Sequence, residues 1–376
     1  MKTNRQLTHC FKGLFTLGVL LLSPLALYAS DTIEDLTQLG LQQMRQENFA
    51  EALSYFDQVI LLDSGNFNAL LQMGIAYSCL QNNDEAIIAY STVIQLYPEE
   101  CIPALYCRAV VYLKLEYYDM AISDYTRMTE LDPENSQGFS GRGLAYSRQG
   151  ESVLAIEDYT RAIEIDPGNS SAYYNRGKEY SVLELYDLAI ADWTWVIDNN
   201  APMIASALYN RGFLYDEMHN YEQAISDYSR AIELDPLHVS AYNNRSVSYF
   251  HLGDYESAIV DQSRVIEFNP ENANSYFDRG LAYAELEDYE QAISDYSRAI
   301  EINPEHITAI FNRGVQYNNS RNFDQALIDF TSVIELYPEF ADAYYYRAVI
   351  YDNAGDTEKA NADFERAEQL GSNLVE

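Results

Sequence analysis

Residues 241–246 read Ala241-Tyr242-Asn243-Asn244-Arg245-Ser246, and residues 253–259 read Gly253-Asp254-Tyr255-Glu256-Ser257-Ala258-Ile259. A small residue, Ser246, is followed twelve positions later by an alanine, Ala258. Working outward, the same spacing recurs along the chain. The small residues are Gly40, Gly74, Ala109, Gly143, Gly177, Gly212, Ser246, Gly280, Gly314 and Ala348. Their alanine partners are Ala52, Ala86, Ala121, Ala155, Ala189, Ala224, Ala258, Ala292, Ala326 and Ala360. The step is 34 residues, stretched to 35 around Cys101 and around Ala201-Pro202. Self-similarity at this period is the signature of a repeat array.

Each unit reads as two helices. In one of them Tyr209, Gly212 and Tyr215 are followed by Ala224, Tyr228 and Ala231, apolar residues at three- and four-residue intervals that place a stripe on one helical face. The small residues allow close helix approach, and the large rings fill the space beside them. Gly253-Asp254 and Gly355-Asp356 mark the turn inside a unit. Pro98, Pro133, Pro167, Pro236, Pro270, Pro304 and Pro338 close the second helix, because proline cannot continue it.

These segments resemble tetratricopeptide repeats over the span 33–374. The resemblance implies an all-α fold: a right-handed α-α superhelical solenoid of about ten helix pairs, with first helices lining a concave groove that takes peptides or proteins. The ten units fall at 33–66, 67–101, 102–135, 136–169, 170–204, 205–238, 239–272, 273–306, 307–340 and 341–374, which leaves no room for a separate catalytic domain. A lead at 30–32 offers Asp31 or Thr32 as helix cap with Glu34 nearby. The polar last helix, with Glu358, Asn361, Glu365, Glu368 and Gln369, suits a free end.

Ahead of the array, Lys2, Arg5 and Lys12 precede an apolar run from Leu14 to Leu22 and an exit at Leu27-Tyr28-Ala29. That order is expected of a secretory signal peptide, residues 1–29, cleaved after Ala29. It points to a secreted or periplasmic protein with no stable membrane span in the mature chain. Losing those three bases leaves 58 acidic against 20 basic residues, a formal charge of about −38. A nucleic-acid partner is excluded on charge, since phosphate binding needs clustered Lys and Arg. A protein or peptide partner, including a basic one, is compatible, and the charge also keeps a long exposed array soluble. Cys79, Cys101 and Cys107 make no disulfide framework, although Cys101 and Cys107 are close enough in sequence to be considered as a pair.

Two series of substitutions rise and fall together. Units three to ten carry arginine just before the small residue: Arg108, Arg142, Arg176, Arg211, Arg245, Arg279, Arg313 and Arg347. The same units carry aspartate three residues after the alanine: Asp124, Asp158, Asp192, Asp227, Asp261, Asp295, Asp329 and Asp363. Units one and two have Leu39 and Met73 in the first place, Tyr55 and Ala89 in the second. A repeated inter-helix ion pair accounts for this, because the planar guanidinium meets a carboxylate bidentately. The functional alternative is an arginine ladder that grips acidic ligands.

Candidate partner-binding residues come from the first helices. Asn175, Asn210, Asn244, Asp278 and Asn312 recur in register, similar to the asparagine ladder in the helical repeats of the O-linked N-acetylglucosamine transferase family. An amide can hydrogen-bond an extended backbone or, equally well, a neighbouring repeat. Beside them stand Tyr106, Tyr174, Tyr209, Phe277, Phe311 and Tyr345, as groove surface or as inter-repeat core. Asp216, Glu217, Glu285 and Asp352 fall on first helices in the C-terminal half, which suits a basic peptide, whereas Lys178 and Arg148 are too scattered for a carboxylate clamp. Trp195 takes a place that is arginine in six other units and suggests an exposed face, either over the lengthened loop or as a contact site.

Catalytic patterns are missing: no nucleophile elbow, phosphate-cradling glycine loop or zinc-type histidine pair. His219, His238, His251 and His306 are dispersed. The expectation is a non-enzymatic scaffold without cofactor or metal, binding a polypeptide in the bacterial envelope. The alternative is a self-associating structural or wall-associated protein.

Overall fold

In the computed structural model, residues 24–372 and 374 are described, with side chains from residue 32. Twenty α-helices and no strands occur among them. They fall into two compact units, residues 1–167 and 168–376. The first unit holds α1 (Pro24–Arg45), α2 (Phe49–Leu62), α3 (Phe67–Cys79), α4 (Asn83–Leu96), α5 (Ile102–Lys114), α6 (Tyr118–Leu131), α7 (Ser136–Gln149) and α8 (Ser152–Ile165). The second holds α9 (Ser170–Val182), α10 (Tyr186–Asp198), α11 (Ile204–Glu217), α12 (Tyr221–Leu234), α13 (Val239–His251), α14 (Tyr255–Phe268), α15 (Ala273–Glu285), α16 (Tyr289–Ile302), α17 (Ile307–Asn319), α18 (Phe323–Leu336), α19 (Ala341–Asn353) and α20 (Thr357–Gln369).

Within each unit the architecture is a helical-hairpin solenoid. Odd-numbered helices are the first helices of the repeats and even-numbered helices the second. Each packs most extensively on its hairpin partner, and each second helix then packs on the first helix of the next repeat in its unit. No helix among the described residues is long and apolar enough to cross a membrane.

The hairpin is closed by one steric relation. The alanine of the second helix is buried, and the residue four beyond it is a large ring in every repeat but the seventh, where Gln262 stands; where the small residue of the first helix is glycine, the ring lies against it. A Cβ added at Gly74 would stand 2.4 Å from the Tyr90 ring, at Gly280 2.7 Å from Tyr296, and at Gly212 3.0 Å from Tyr228. Glycine at these places makes room for a ring, and a buried ring contributes roughly 1.5–3 kcal/mol. Phe56, Tyr90, Tyr125, Tyr159, Tyr228, Tyr296 and Phe330 are all buried this way.

The turn inside each hairpin needs one residue with left-handed backbone. Gly150, Gly253 and Gly355 supply it at φ near 80°, while Glu47, Gln81, Glu116, Glu184, His219, Glu287 and Arg321 adopt φ of 58–64° at the same place. First helices are capped by Asn66, Asn135, Asn169, His238, Asn272 and His306, whose side chains accept a backbone N–H of the first turn. The two inserted residues fall where this cap is replaced by Cys101 and Met203. At the second insertion α10 ends one residue early and Asn200 turns left-handed at φ 51°.

Two expectations differ from the structure, and a third falls on residues outside those described. Asp31 and Thr32 do not cap the first helix but lie inside α1, which begins at Pro24 and runs without a break past Ala29. The apolar run of the expected leader, residues 14–22, lies outside the described residues. Cys79, Cys101 and Cys107 are all thiols. Cys101 caps α5 and Cys107 lies six residues further along it, roughly 9 Å by helical rise, beyond the reach of a disulfide.

Candidate functional site: the inner polar ladders of the repeats

The eight arginines and eight aspartates are joined in register. Nε and Nη2 of each arginine donate to the two carboxylate oxygens of the aspartate sixteen residues on, at 2.6–2.9 Å. The aspartate side chains are 3–11% exposed and the arginines 13–21%, so these groups are not presented to a ligand. Burial pushes the Asp124 and Asp192 carboxyls up against the pull of Arg108 and Arg176. Desolvation and attraction therefore oppose one another, as is usual for buried pairs.

The third guanidinium nitrogen reaches into the preceding repeat. Nη1 of Arg108 donates to Ser91 Oγ at 2.7 Å, Arg142 to Thr126, Arg211 to Thr194 at 2.7 Å, Arg245 to Ser229, Arg279 to Ser263, Arg313 to Ser297 and Arg347 to Thr331. Each of these arginines thus ties its own first helix to two second helices. Tyrosines four residues on, such as Tyr112, Tyr215 and Tyr317, face the guanidinium at 5.7–5.9 Å. The hydroxyl rung escaped the sequence reading. Its signal was present: a Ser or Thr stands five residues after the alanine in every repeat that precedes an arginine, and Asp57 stands there in the first repeat, which precedes none.

The amide series lies beside this core, partly exposed throughout. Asn210 Nδ2 donates to the Tyr174 hydroxyl at 3.2 Å and Asn244 Nδ2 to the Tyr209 hydroxyl at 3.3 Å. Each bond joins a first helix to the first helix before it. The two candidate series therefore meet one another in α9, α11 and α13. Among the described residues, Asn175, Asn312 and Asp278 make no such bond to a tyrosine hydroxyl of the repeat before.

The aromatic series packs inward. Tyr106 lies on Tyr125, Tyr209 on Tyr228, Phe277 on Tyr296, Phe311 on Phe330 and Tyr345 on Phe364, with ring centroids 5.8–6.3 Å apart. Tyr209 and Phe277 also cover the capping rings of His238 and His306. These rings serve mostly to join the two helices of a hairpin. Trp195, expected on an exposed face, is half-buried and stacked on Tyr173 at 3.9 Å, over the core formed with Trp193, Ile197 and Ala201 beside the lengthened loop.

Acidic side chains border the ladder in the second unit. Ser248 donates to Asp216 at 2.7 Å, and the Tyr255 hydroxyl faces Glu285 at 3.4 Å. The Asp278 carboxyl is pushed up to about 6, and burial alone is the cause.

A hairpin solenoid with this spacing and a repeated inner polar ladder defines a tetratricopeptide-type interaction scaffold. The chain belongs to the tetratricopeptide-repeat family: models of the repeat match residues 37–100, 102–135, 136–169, 158–191, 205–237, 228–260, 247–287, 273–306 and 330–360. Among solved structures it is similar to YrrB, described as a tetratricopeptide-repeat protein with an unusual peptide-binding site, at 24% identity and a TM-score of 0.46 over 50% of this chain and 95% of that one. It is also similar to PilF of Pseudomonas aeruginosa (15% identity, TM-score 0.49, 56% and 94% covered). A third is a tetratricopeptide repeat protein from Parabacteroides merdae (17% identity, TM-score 0.41, 79% and 99% covered). No curated protein sequence matches the chain.

Proposed function

We propose that the chain is a non-catalytic scaffold that binds an extended polypeptide along its first helices, in the bacterial envelope or secreted space. Proteins of this repeat family bind protein or peptide partners. The observation that carries the reading here is the division of labour between the two polar ladders. The arginines are consumed by aspartates and hydroxyls inside the hairpins. The amides stay partly exposed in register, Asn210 and Asn244 each spending one donor on the tyrosine of the repeat before. An amide so oriented keeps acceptor and donor capacity for a peptide backbone. The envelope assignment rests on the leader-like pattern of residues 2–29.

The test is a pull-down from the native compartment with the intact chain and with Asn210→Ala, Asn244→Ala and Asn312→Ala combined. A partner kept by the first and lost by the second, with helicity unchanged, supports the reading. Partners retained equally by both show the amides to be inter-repeat bridges only. Light scattering at rising protein concentration addresses self-association, which predicts growth in mass without any partner.

A further inference from the structure

The hairpins of repeats three and four leave a cleft of about 320 Å³ at their turn ends, lined by Leu113, Lys114, Glu116, Tyr118, Leu144 and Arg148. Its size is at the lower end of ligand pockets, which run from roughly 300 to 1,000 Å³. Lys114 is the last residue of α5, Tyr118 the first of α6, and Arg148 stands one residue before the end of α7. Both α5 and α7 are first helices, on which the groove reading places the polypeptide. The cleft is nevertheless apart from the amide series. The amide place of repeat three is Cys107, seven residues before Lys114 and roughly 10 Å along the helix. Gln149 Nε2 donates to Asp119 Oδ1 at 2.8 Å, bracing α7 against α6 beside the cleft.

The lining is apolar where it is covered and basic where it is open. Leu113, Tyr118 and Leu144 are half-buried, whereas Lys114, Glu116 and Arg148 are exposed. Other exposed bases are taken up by acids: Arg127 by Glu130 and Glu99, Arg161 by Glu164, Arg298 by Glu301 and Glu271, and Lys359 by Asp356. Among the described residues Lys114 and Arg148 join no ion pair, although Glu116 lines the same cleft. In sequence Arg148 is a scattered base among many acids; the fold sets it on one cleft with Lys114 of the preceding repeat. Two cations beside apolar side chains suit a carboxylate, which a guanidinium can hold bidentately while an ammonium adds a point charge.

We propose that this cleft is a subsite for an acidic side chain of the bound polypeptide, its carboxylate between Lys114 and Arg148 and an apolar neighbour on Leu113, Tyr118 and Leu144. The assignment rests on the groove reading above and names its chemistry in the first unit. Glu116 opposes an anion and so tunes the site. The chain as a whole, at a formal charge of −35, repels an acidic ligand, so capture of one requires bases gathered locally.

The experiment uses the full chain and a rhodamine-labelled peptide, Ser-Gly-Ser-Leu-Glu-Leu-Ser-Gly-Ser with an amidated C-terminus, followed by anisotropy at physiological salt and neutral pH. Lys114→Gln and Arg148→Gln alter exposed side chains and leave the core intact. Each is expected to weaken binding at least threefold, and Glu116→Gln to strengthen it about twofold. Arg161→Gln, an equal charge change on the outer surface, is expected to change it less than twofold. Equal effects of Arg148→Gln and Arg161→Gln, or no binding to the unaltered chain, overturn the subsite. A peptide with glutamine for glutamate is expected to bind at least fivefold more weakly and to be indifferent to Arg148→Gln. Should it bind as tightly as the glutamate peptide, and be lost on combined Asn210→Ala, Asn244→Ala and Asn312→Ala, the subsite falls and the groove stands. Should the glutamine peptide recover full binding once its C-terminus is left as a free carboxylate, the side-chain assignment falls, since the cleft then takes a chain end. A glutamate peptide that responds to Arg148→Gln but not to the amide substitutions supports the subsite and removes the amides from recognition.

Discussion

Replacing Asp227 by alanine leaves the Arg211 guanidinium inside the α11–α12 hairpin without its carboxylate. The lost contacts are two hydrogen bonds of 2.7 Å between groups that are 13% and 4% exposed. The Thr194 hydroxyl and the Tyr215 ring remain, and neither carries a charge. Removing one partner from a pair this deep costs about 3–5 kcal/mol, because a buried charge is stranded. By contrast Arg161 and Glu164, paired on an outer surface at 2.9 Å with side chains about half exposed, predict under about 1 kcal/mol for Glu164→Ala. A repeat array does not unfold in one step, so amide exchange of α11 and α12 is the suitable assay. Protection there is expected to fall by roughly 10² to more than 10³ in Asp227→Ala, each tenfold corresponding to about 1.4 kcal/mol. The second repeat carries Met73 and Ala89 at these two places, which suggests the rescue. Arg211→Met combined with Asp227→Ala removes both charges and is expected to recover most of the loss. The reasoning is refuted if the single change costs under about 1 kcal/mol, or if the double change loses as much as the two singles added.

Three further outcomes are expected. Gly74→Val places methyl groups into the Tyr90 ring, already 2.4 Å from a modest Cβ, and should destabilise the α3–α4 hairpin by about 1–3 kcal/mol in exchange or urea titration. Glu287→Gly relieves a left-handed backbone at φ 58° and should stabilise the α15–α16 hairpin by about 1 kcal/mol; a loss instead would show that the glutamate side chain anchors the turn. The Asp278 carboxyl, at about 6 when folded against an ordinary value of 3.8, binds its proton more tightly in the folded state. Its contribution to stability is therefore full below about pH 4 and lost as pH rises through 6. Asp278→Asn should be more stable than the unaltered chain by up to about 3 kcal/mol at pH 7 and equal to it near pH 4, read as the difference in urea midpoints across that range.

The repeat and its helices were legible because their determinants are local and recur. Small residue, alanine and ring must keep fixed spacing for two helices to touch, so the pattern is written into every unit. The covariation of Arg211-like and Asp227-like residues was readable for the same reason: sixteen residues apart on facing helices, neither is tolerable alone once buried. Two features went unread although a signal existed. The hydroxyl rung at Thr194 and its equivalents covaries with an arginine in the following repeat, a comparison across units rather than within one. The left-handed turns at Glu287 and His219 were hidden because glycine marks only some of the turns.

By itself, the sequence determined the all-helical repeat, its period, the ion-pair partners and the acidic character, since each depends on spacing or composition. Only tertiary structure decided the meaning of residues whose chemistry fits two surroundings. Asn210 and Asn244 each give one donor to a tyrosine hydroxyl of the repeat before, the aromatic series packs inward, and Trp195 stacks on Tyr173. The physical reason is common to all three. An amide or a ring is satisfied equally by a ligand or by a neighbouring helix, and which one it meets depends on how successive hairpins are set against each other.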